Sequence, residues 1–162
     1  MSPASRFFQI IPEYHKAVTI KRKKGEAIAA GVHGPGIVFV NPFTTELYKV
    51  DIRNQDKTTE VLAISEPDNT KIKIYTQWGY QIVDPAKSAI MVASIDVALE
   101  GILTVSLREI IHDLSIKAMQ DEQIQIETKW RNRINDEIGD RWGINVFYTN
   151  IQKITKAPLE IE

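Results

Sequence analysis

The chain holds three histidines, His15, His33 and His112, and no cysteine. The histidines lie far apart and no pair has the spacing of a metal-binding helix face. Without thiols there is no disulfide framework, thiolate nucleophile or thiolate metal site. Asp121, Glu122 and Glu127 fall on a helical pattern, where carboxylates solvate a face; an acid–base pair would need a cleft and shifted pKa values. Ser106 and Ser115 lack the Gly-x-Ser-x-Gly context of a nucleophile elbow. Gly31-Val32-His33-Gly34-Pro35-Gly36 is glycine-rich but has no Lys-Ser/Thr ending to hold a phosphate. The pattern therefore points to no catalytic residue, no cofactor and no metal, and to a protein that is not an enzyme.

The remaining chemistry is that of surfaces. Arg6-Phe7-Phe8-Gln9-Ile10-Ile11 is a short apolar segment that either dips Phe7, Phe8, Ile10 and Ile11 into a lipid headgroup layer or pairs with a sheet. Lys21-Arg22-Lys23-Lys24 places four cations at an expected hairpin tip. Near anionic lipid each is worth about 1 kcal/mol; away from it they form a solvated turn. The apolar arm Ile37 to Phe43, with Val38, Phe39 and Phe43, has the same two readings, lipid contact or core. Lys129, Arg131 and Arg133, then Asp136, Glu137 and Asp140, put both signs of charge along a helix, which either sets the register of neighbouring copies or is simply solvated.

The elements that must position these groups fit one ordinary domain: 162 residues, 43% hydrophobic, 25% charged and a net charge of −1. No global positive field recruits nucleic acid. No apolar run approaches the roughly 20 residues that span a bilayer. The N-terminus lacks a signal peptide's apolar stretch, because the run from Phe7 ends at Pro12.

Strands come first. Ala17 to Arg22 reads as a strand turning at Lys23-Lys24-Gly25-Glu26, and Gly34-Pro35-Gly36 as a turn. Ile37 to Val40 and Leu47 to Asn54 read as a hairpin broken at Pro42, followed by Thr58 to Ser65 and the turn Glu66-Pro67-Asp68-Asn69. Lys71 to Val83 is the clearest strand, with Ile72, Ile74, Thr76, Trp78, Tyr80 and Ile82 on its packing face. Helices follow. Asp84 caps and Pro85 opens a short one to about Val92. Ser94 caps a second, to about Asp113, whose wide stripe (Val97, Ala98, Leu99, Ile102, Leu103, Val105, Leu107, Ile110, Ile111) marks it as mostly buried. Ser115 caps a third to Arg141, with a narrow stripe from Ile116 through Met119, Gln123, Ile126, Trp130, Ile134 and Ile138 to Trp142. Glu127/Arg131 and Glu137/Arg141 support it at i, i+4, and Gly143 stops it. Ile144 to Ile154 is a closing strand. Strands 17–83 are expected to form one mostly antiparallel, strongly bent sheet under the helices of 85–141.

The segment Gly34-Pro35-Gly36, the apolar strand Ile37 to Val40, Pro42 and then Val50-Asp51-Ile52-Arg53 resembles the stomatin/prohibitin/flotillin family, the band 7 or SPFH domain. Ile11-Pro12-Glu13-Tyr14, Asp84-Pro85-Ala86-Lys87, Leu107-Arg108-Glu109-Ile110-Ile111 and Trp142-Gly143-Ile144-Asn145-Val146 follow in the same order. The resemblance implies an α+β domain over residues 11–158: a mostly antiparallel bent sheet in the N-terminal half, helices packed on it, and a closing C-terminal strand. Residues 1–10 then form an apolar lead-in and 159–162 a stub. Asp121-Glu122 stands where members often carry arginine, and neither a membrane anchor before the domain nor a coiled coil after it is present in these residues. The implied function is a non-enzymatic membrane-associated scaffold acting by weak self-association, contact with anionic lipid and binding of an unidentified protein. The alternative is a soluble adaptor or shell subunit. The implied location is peripheral, on the cytoplasmic face of a membrane, or cytoplasmic.

Overall fold

The computed structural model describes residues 7–91 and 94–157. The expected helix end at Val92, Arg6 and the tail 159–162 lie outside them. The fold is α+β with antiparallel strand pairing and a closing C-terminal strand, as the resemblance implied. The chain divides into two compact units.

The first unit takes Met1–Asn54, Gln81–Ala93 and Gly139–Asn145. It contains β1 (Phe8–Ile11), β2 (His15–Lys23), β3 (Glu26–His33), β4 (Gly36–Phe39), β5 (Thr45–Asp51) and α1 (Pro85–Met91). Strands β3-β2-β5 form one antiparallel sheet, and β1 and β4 a separate two-stranded ribbon. Ala17, Val18, Thr19 and Ile20 on the central strand β2 are all buried, so both of its faces are covered. The expected hairpin of residues 37–40 with 47–54 does not form. Asn41 redirects the chain: its Oδ1 accepts from the Phe43 amide at 3.1 Å, and its carbonyl accepts from the Thr45 amide at 3.0 Å. The strand β4 then pairs with β1, and β5 with β2.

At the start of α1 the Asp84 carboxylate accepts from the Lys87 amide at 3.2 Å, as the sequence indicates. Gly143, at φ +63°, lies against Asp84, and its carbonyl accepts from the amides of Val83 at 2.8 Å and Asp84 at 3.0 Å. A Cβ added to Gly143 would sit 2.3 Å from the Asp84 carbonyl oxygen.

The second unit takes Gln55–Tyr80, Ser94–Ile138 and Val146–Glu162. Its sheet has the order β6-β7-β8, with β6 (Gln55–Ser65), β7 (Thr70–Ile82) and β8 (Ile144–Lys156). The single sheet expected over 17–83 is thus divided between separately hydrogen-bonded sheets. The alternating face of β7 is buried from Ile72 to Ile82 as its pattern requires. The helices are α2 (Ile95–Ile111), α3 (Ile116–Asp121) and α4 (Gln123–Ile138), followed by a 3-10 turn over Gly139–Arg141.

Two helix expectations change. The buried stripe of α2 is narrow, Leu99, Leu103, Ser106, Leu107 and Ile111, while Val97 and Val105 face solvent and Ile102 is half-buried. Ser94 precedes α2 without a side-chain capping bond. The single third helix is broken at Glu122, whose φ of −106° and ψ of 18° end α3. Ser115 does cap α3, accepting from the Ala118 amide at 3.1 Å. The stripe Met119, Ile126, Trp130, Ile134 and Ile138 is buried. The Trp130 indole donates to the Leu103 carbonyl at 3.1 Å, tying α4 to α2.

Helix side chains also seal this sheet's edges. Asn135 acts as a substitute strand for β8: its amide donates to the Val146 carbonyl at 2.8 Å and its Oδ1 accepts from the Val146 amide at 2.9 Å. One stretch along, Gln123 donates to the Ile151 carbonyl at 2.6 Å and Glu127 accepts from the Ile151 amide at 2.8 Å. Glu127, expected to pair with Arg131, is therefore a ligand of the sheet edge. On β6, the Arg108 guanidinium donates to the Leu62 carbonyl at 2.7 Å.

Candidate functional site

The alternation of β1 and β4 decides which of their side chains face outward. The register is Phe8 with Phe39, Gln9 with Val38, Ile10 with Ile37 and Ile11 with Gly36. Directly opposed residues share a face. Phe8, Ile10, Ile37 and Phe39 thus form one entirely apolar outer face, with exposures of 47, 71, 67 and 74%. The Phe8 and Phe39 rings meet at 4.6 Å, tilted by 54°. Phe7 flanks this face, its carbonyl accepting from the Val40 amide at 2.9 Å, and Phe43 stands 87% exposed in the following loop. Contiguous exposed apolar patches of this kind are uncommon on the surfaces of monomeric globular proteins.

The inner face is different. Ile11 is only 2% exposed, so the expectation that it contacts lipid is corrected: alternation turns it into the core. Val38 is half-buried on the same side. Ile37, which the sequence placed in the arm without singling it out, belongs to the outer face.

The cations Lys21, Arg22, Lys23 and Lys24 are exposed where β2 turns into β3. Arg22 is partly engaged, its Nε 3.3 Å from a Glu46 carboxylate oxygen. On α4, Lys129, Asp136 and Glu137 are exposed and Arg131 half-buried, with Asp140 exposed in the 3-10 turn. Arg133 is committed within the chain, donating to the Glu109 carboxylate on α2.

The titratable groups serve as braces. Asp51 and Arg53 form a bidentate pair, with Arg53 Nη2 at 2.6 Å and Nε at 3.0 Å from the carboxylate oxygens, and the guanidinium sits 5.8 Å from the Tyr14 ring centroid. The Arg53 hydrogen bonds hold the Asp51 carboxyl down at about 2. Asp96, in the first turn of α2, accepts from the Tyr80 hydroxyl at 2.7 Å and from Lys57 at 3.0 Å. Burial works against its charge, but these donors outweigh it and lower its pKa.

Of the histidines, His15 Nδ1 lies 3.0 Å from the Glu13 carbonyl oxygen. His112 meets Glu66 at 3.3 Å and Asp113 at 3.0 Å, with all three exposed and their ligand-type atoms within 4.8 Å of one another. No spacing in the sequence could reveal this group, because Glu66 arrives from the β6–β7 turn. The Asp113 hydrogen bond and the Glu66 charge raise the His112 pKa. The group is a charged corner pinning that turn to the end of α2, where the Glu66 amide also donates to the His112 carbonyl at 3.1 Å.

The sequence profile of the SPFH domain / Band 7 family matches residues 9–162. The chain belongs to this family. A stomatin homologue of Pyrococcus horikoshii is 27% identical over 146 residues, covering 90% of this chain and 53% of that protein. An uncharacterised protein of Methanothermobacter thermautotrophicus is 28% identical, covering 93% and 46%. Stomatin of Mus musculus is 21% identical, covering 95% and 53%. The chain thus spans about half the length of the curated relatives it matches. In this Band 7 domain the segments that carry the resemblance act structurally. Asp51 and Arg53 close the end of β5, Asp84 caps α1 against Gly143, and Leu107 packs in the core while Arg108 seals β6. No helix among the described residues is long and apolar enough to cross a membrane.

Proposed function

We propose that this Band 7 domain is a non-enzymatic, membrane-associated scaffold that lies on a bilayer through the β1–β4 ribbon. One observation carries the reading: the ribbon's outer face is apolar at every position and mostly exposed. Fully burying a large apolar side chain is worth about 1.5–3 kcal/mol, so side chains exposed by two-fifths or more have roughly 1 kcal/mol each left to gain in lipid. Summed over Phe7, Phe8, Ile10, Ile37, Phe39 and Phe43, that suffices for reversible anchoring. The cations from Lys21 to Lys24 would add attraction to anionic headgroups. Self-association and an unidentified protein partner complete the scaffold reading, with the exposed charges of α4 as one contact surface. Location on the cytoplasmic face of a membrane is part of the same proposal.

The test is co-flotation of the 162-residue protein with liposomes of mixed zwitterionic and anionic lipid. Phe39→Ser/Phe43→Ser removes about a third of that sum, so it should weaken liposome binding by at least about tenfold and leave the urea-unfolding midpoint nearly unchanged, because both side chains are already exposed. Absence of wild-type flotation at every composition would overturn the membrane reading in favour of the soluble adaptor.

A further inference from the structure

The strand edges of this fold are not treated alike. The edges of the β6-β7-β8 sheet are sealed by Arg108 on one side and by Gln123, Glu127 and Asn135 on the other. The edge strand β5 carries Glu46, Lys49 and Asp51 in seven residues, and charge deters strand addition. The opposite edge of that sheet, β3, reads Glu-Ala-Ile-Ala-Ala-Gly-Val-His. Between its end residues it has no charge and no proline. Ile28 and Val32 are 48 and 44% exposed, and β3 has no second strand partner among the described residues. Its guards are a bulge and the helix α1 packed against it, not charge, and an uncharged edge without a second strand partner is a template for another strand.

The β-bulge in β3 fixes which strand fits. Pairing with β2 runs Ala17 with His33, Val18 with Val32 and Thr19 with Gly31, then shifts so that Ile20 meets Ala29. One residue, Ala30, is extra, so the alternation of faces reverses there. His33, Gly31, Ile28 and Glu26 share one face; Val32, Ala29 and Ala27 share the other. When two copies of β3 pair antiparallel about a two-fold axis, opposed residues must share a face. A full-length register meets that condition only by centring the axis between Ala29 and Ala30. That register sets Ile28 against Gly31 and Ala27 against Val32, large against small at each step. It also sets the Glu26 carboxylate, an acceptor, against the His33 imidazole, a donor, once at each end.

We infer that β3 is a homodimerisation edge, joining two copies in this bulge-centred antiparallel register. The inference deepens the self-association part of the reading above and does not depend on membrane binding. A strand-only contact buries little area, so the dimer is weak and concentration-dependent. The two-fold contact closes on itself; growth beyond two copies needs a second surface.

Because the chain has no cysteine, engineered pairs report the register cleanly. Opposed residues have Cα atoms about 4.5–5.5 Å apart, within disulfide range. Under mild oxidation Ala27→Cys/Val32→Cys should give a covalent dimer, whereas Ala27→Cys/His33→Cys, with one cysteine on each face, should not. Those two positions of one strand are too far apart to link within a chain. In sedimentation equilibrium, Glu26→Lys or His33→Glu should each weaken the dimer about three- to tenfold, and the double exchange should restore it. A fold defect would not be rescued in this way. Dimerisation with no in-phase cross-link and no response to the exchange would overturn β3 as the interface while self-association stood. A monomer at millimolar concentration, with no cross-link, would overturn both.

Discussion

Replacing Gly143 by alanine tests how the start of β8 is fixed. Two costs combine. At φ +63° any L-residue is strained, by about 1–2 kcal/mol. The new Cβ would also stand 2.3 Å from the Asp84 carbonyl oxygen and 2.8 Å from Asp84 Cβ, so backbone must move. That movement weakens the hydrogen bonds from the Val83 and Asp84 amides to the Gly143 carbonyl, about 1 kcal/mol apiece. The total is about 3–4 kcal/mol, a large part of the roughly 5–15 kcal/mol that holds a domain folded. Gly139 is the control. Its φ is +51°, but nothing lies within 4 Å of an added Cβ, so Gly139→Ala carries only the conformational cost, about 1–2 kcal/mol. The stiffening of the unfolded chain by alanine is common to both variants and cancels in the comparison. Urea unfolding followed by circular dichroism gives the two midpoints, and thermal unfolding should show Gly143→Ala melting roughly 10 °C below wild type. Equal losses in the two variants would refute the close approach to Asp84 as the source of the effect.

Other consequences are as direct. Asn135→Ala strands the Val146 amide and carbonyl and should cost about 2–4 kcal/mol, with turbidity on warming as β8 opens; an unchanged midpoint would show that the seal contributes nothing. His112 has a folded pKa above its unfolded value, so its contribution is fully present below about pH 6.5 and is lost as pH rises through the folded value. The midpoint gap between wild type and His112→Asn should therefore be wider at pH 5.5 than at pH 9 (on the order of two units either side of neutrality). Asp51 is the opposite case: stability from its pair with Arg53 is present above about pH 4 and is lost as pH falls through about 2, so Asp51→Asn should approach wild type in acid. Replacing Lys21, Lys23 and Lys24 by glutamine should weaken flotation with anionic liposomes, about 1 kcal/mol per charge, and leave zwitterionic liposomes unaffected. Exchanging Lys129 and Arg131 for glutamate should weaken self-association measured by sedimentation if the α4 face takes part; no change would remove that face.

Local chemistry made much of this fold legible. Alternation exposed the buried face of β7, and Asp84 and Ser115 marked helix starts that the structure keeps, whereas the long helix stops at Ile138 before Gly139, at φ +51°, and not at Gly143. What stayed hidden depended on partners distant in sequence. The strand β3 is alanine-rich with a bulge, so its pattern has no clean period of two. Whether Ile37 to Phe39 pairs forward or back is settled by Asn41 turning the chain and by β1 offering an apolar strand. The break at Glu122 falls on a good helix former, and α3 is anchored from outside, Asp68 accepting from the Ile116 amide at 2.7 Å. On the ribbon, alternation separates Ile11 from Ile10 only once the strand is known to have a free outer face.

The grip of α4 on β8 has a consequence for how such a chain can vary in length. Ile151 is held by Gln123 and Glu127, one helical turn apart, and Val146 by Asn135. The midpoint of the first pair lies about 15 Å of helix before Asn135. Ile151 and Val146 are separated by about 16 Å of strand. The two rulers agree, so each checks the other. Many side chains between these marks are exposed and free to change identity. Their number is not free: one residue inserted between Glu127 and Asn135 turns the helix by about 100° and carries one clamp off the strand, and one inserted between Val146 and Ile151 flips the face presented beyond it. Variation in this stretch is therefore confined to substitution, and insertions belong in the turns outside it.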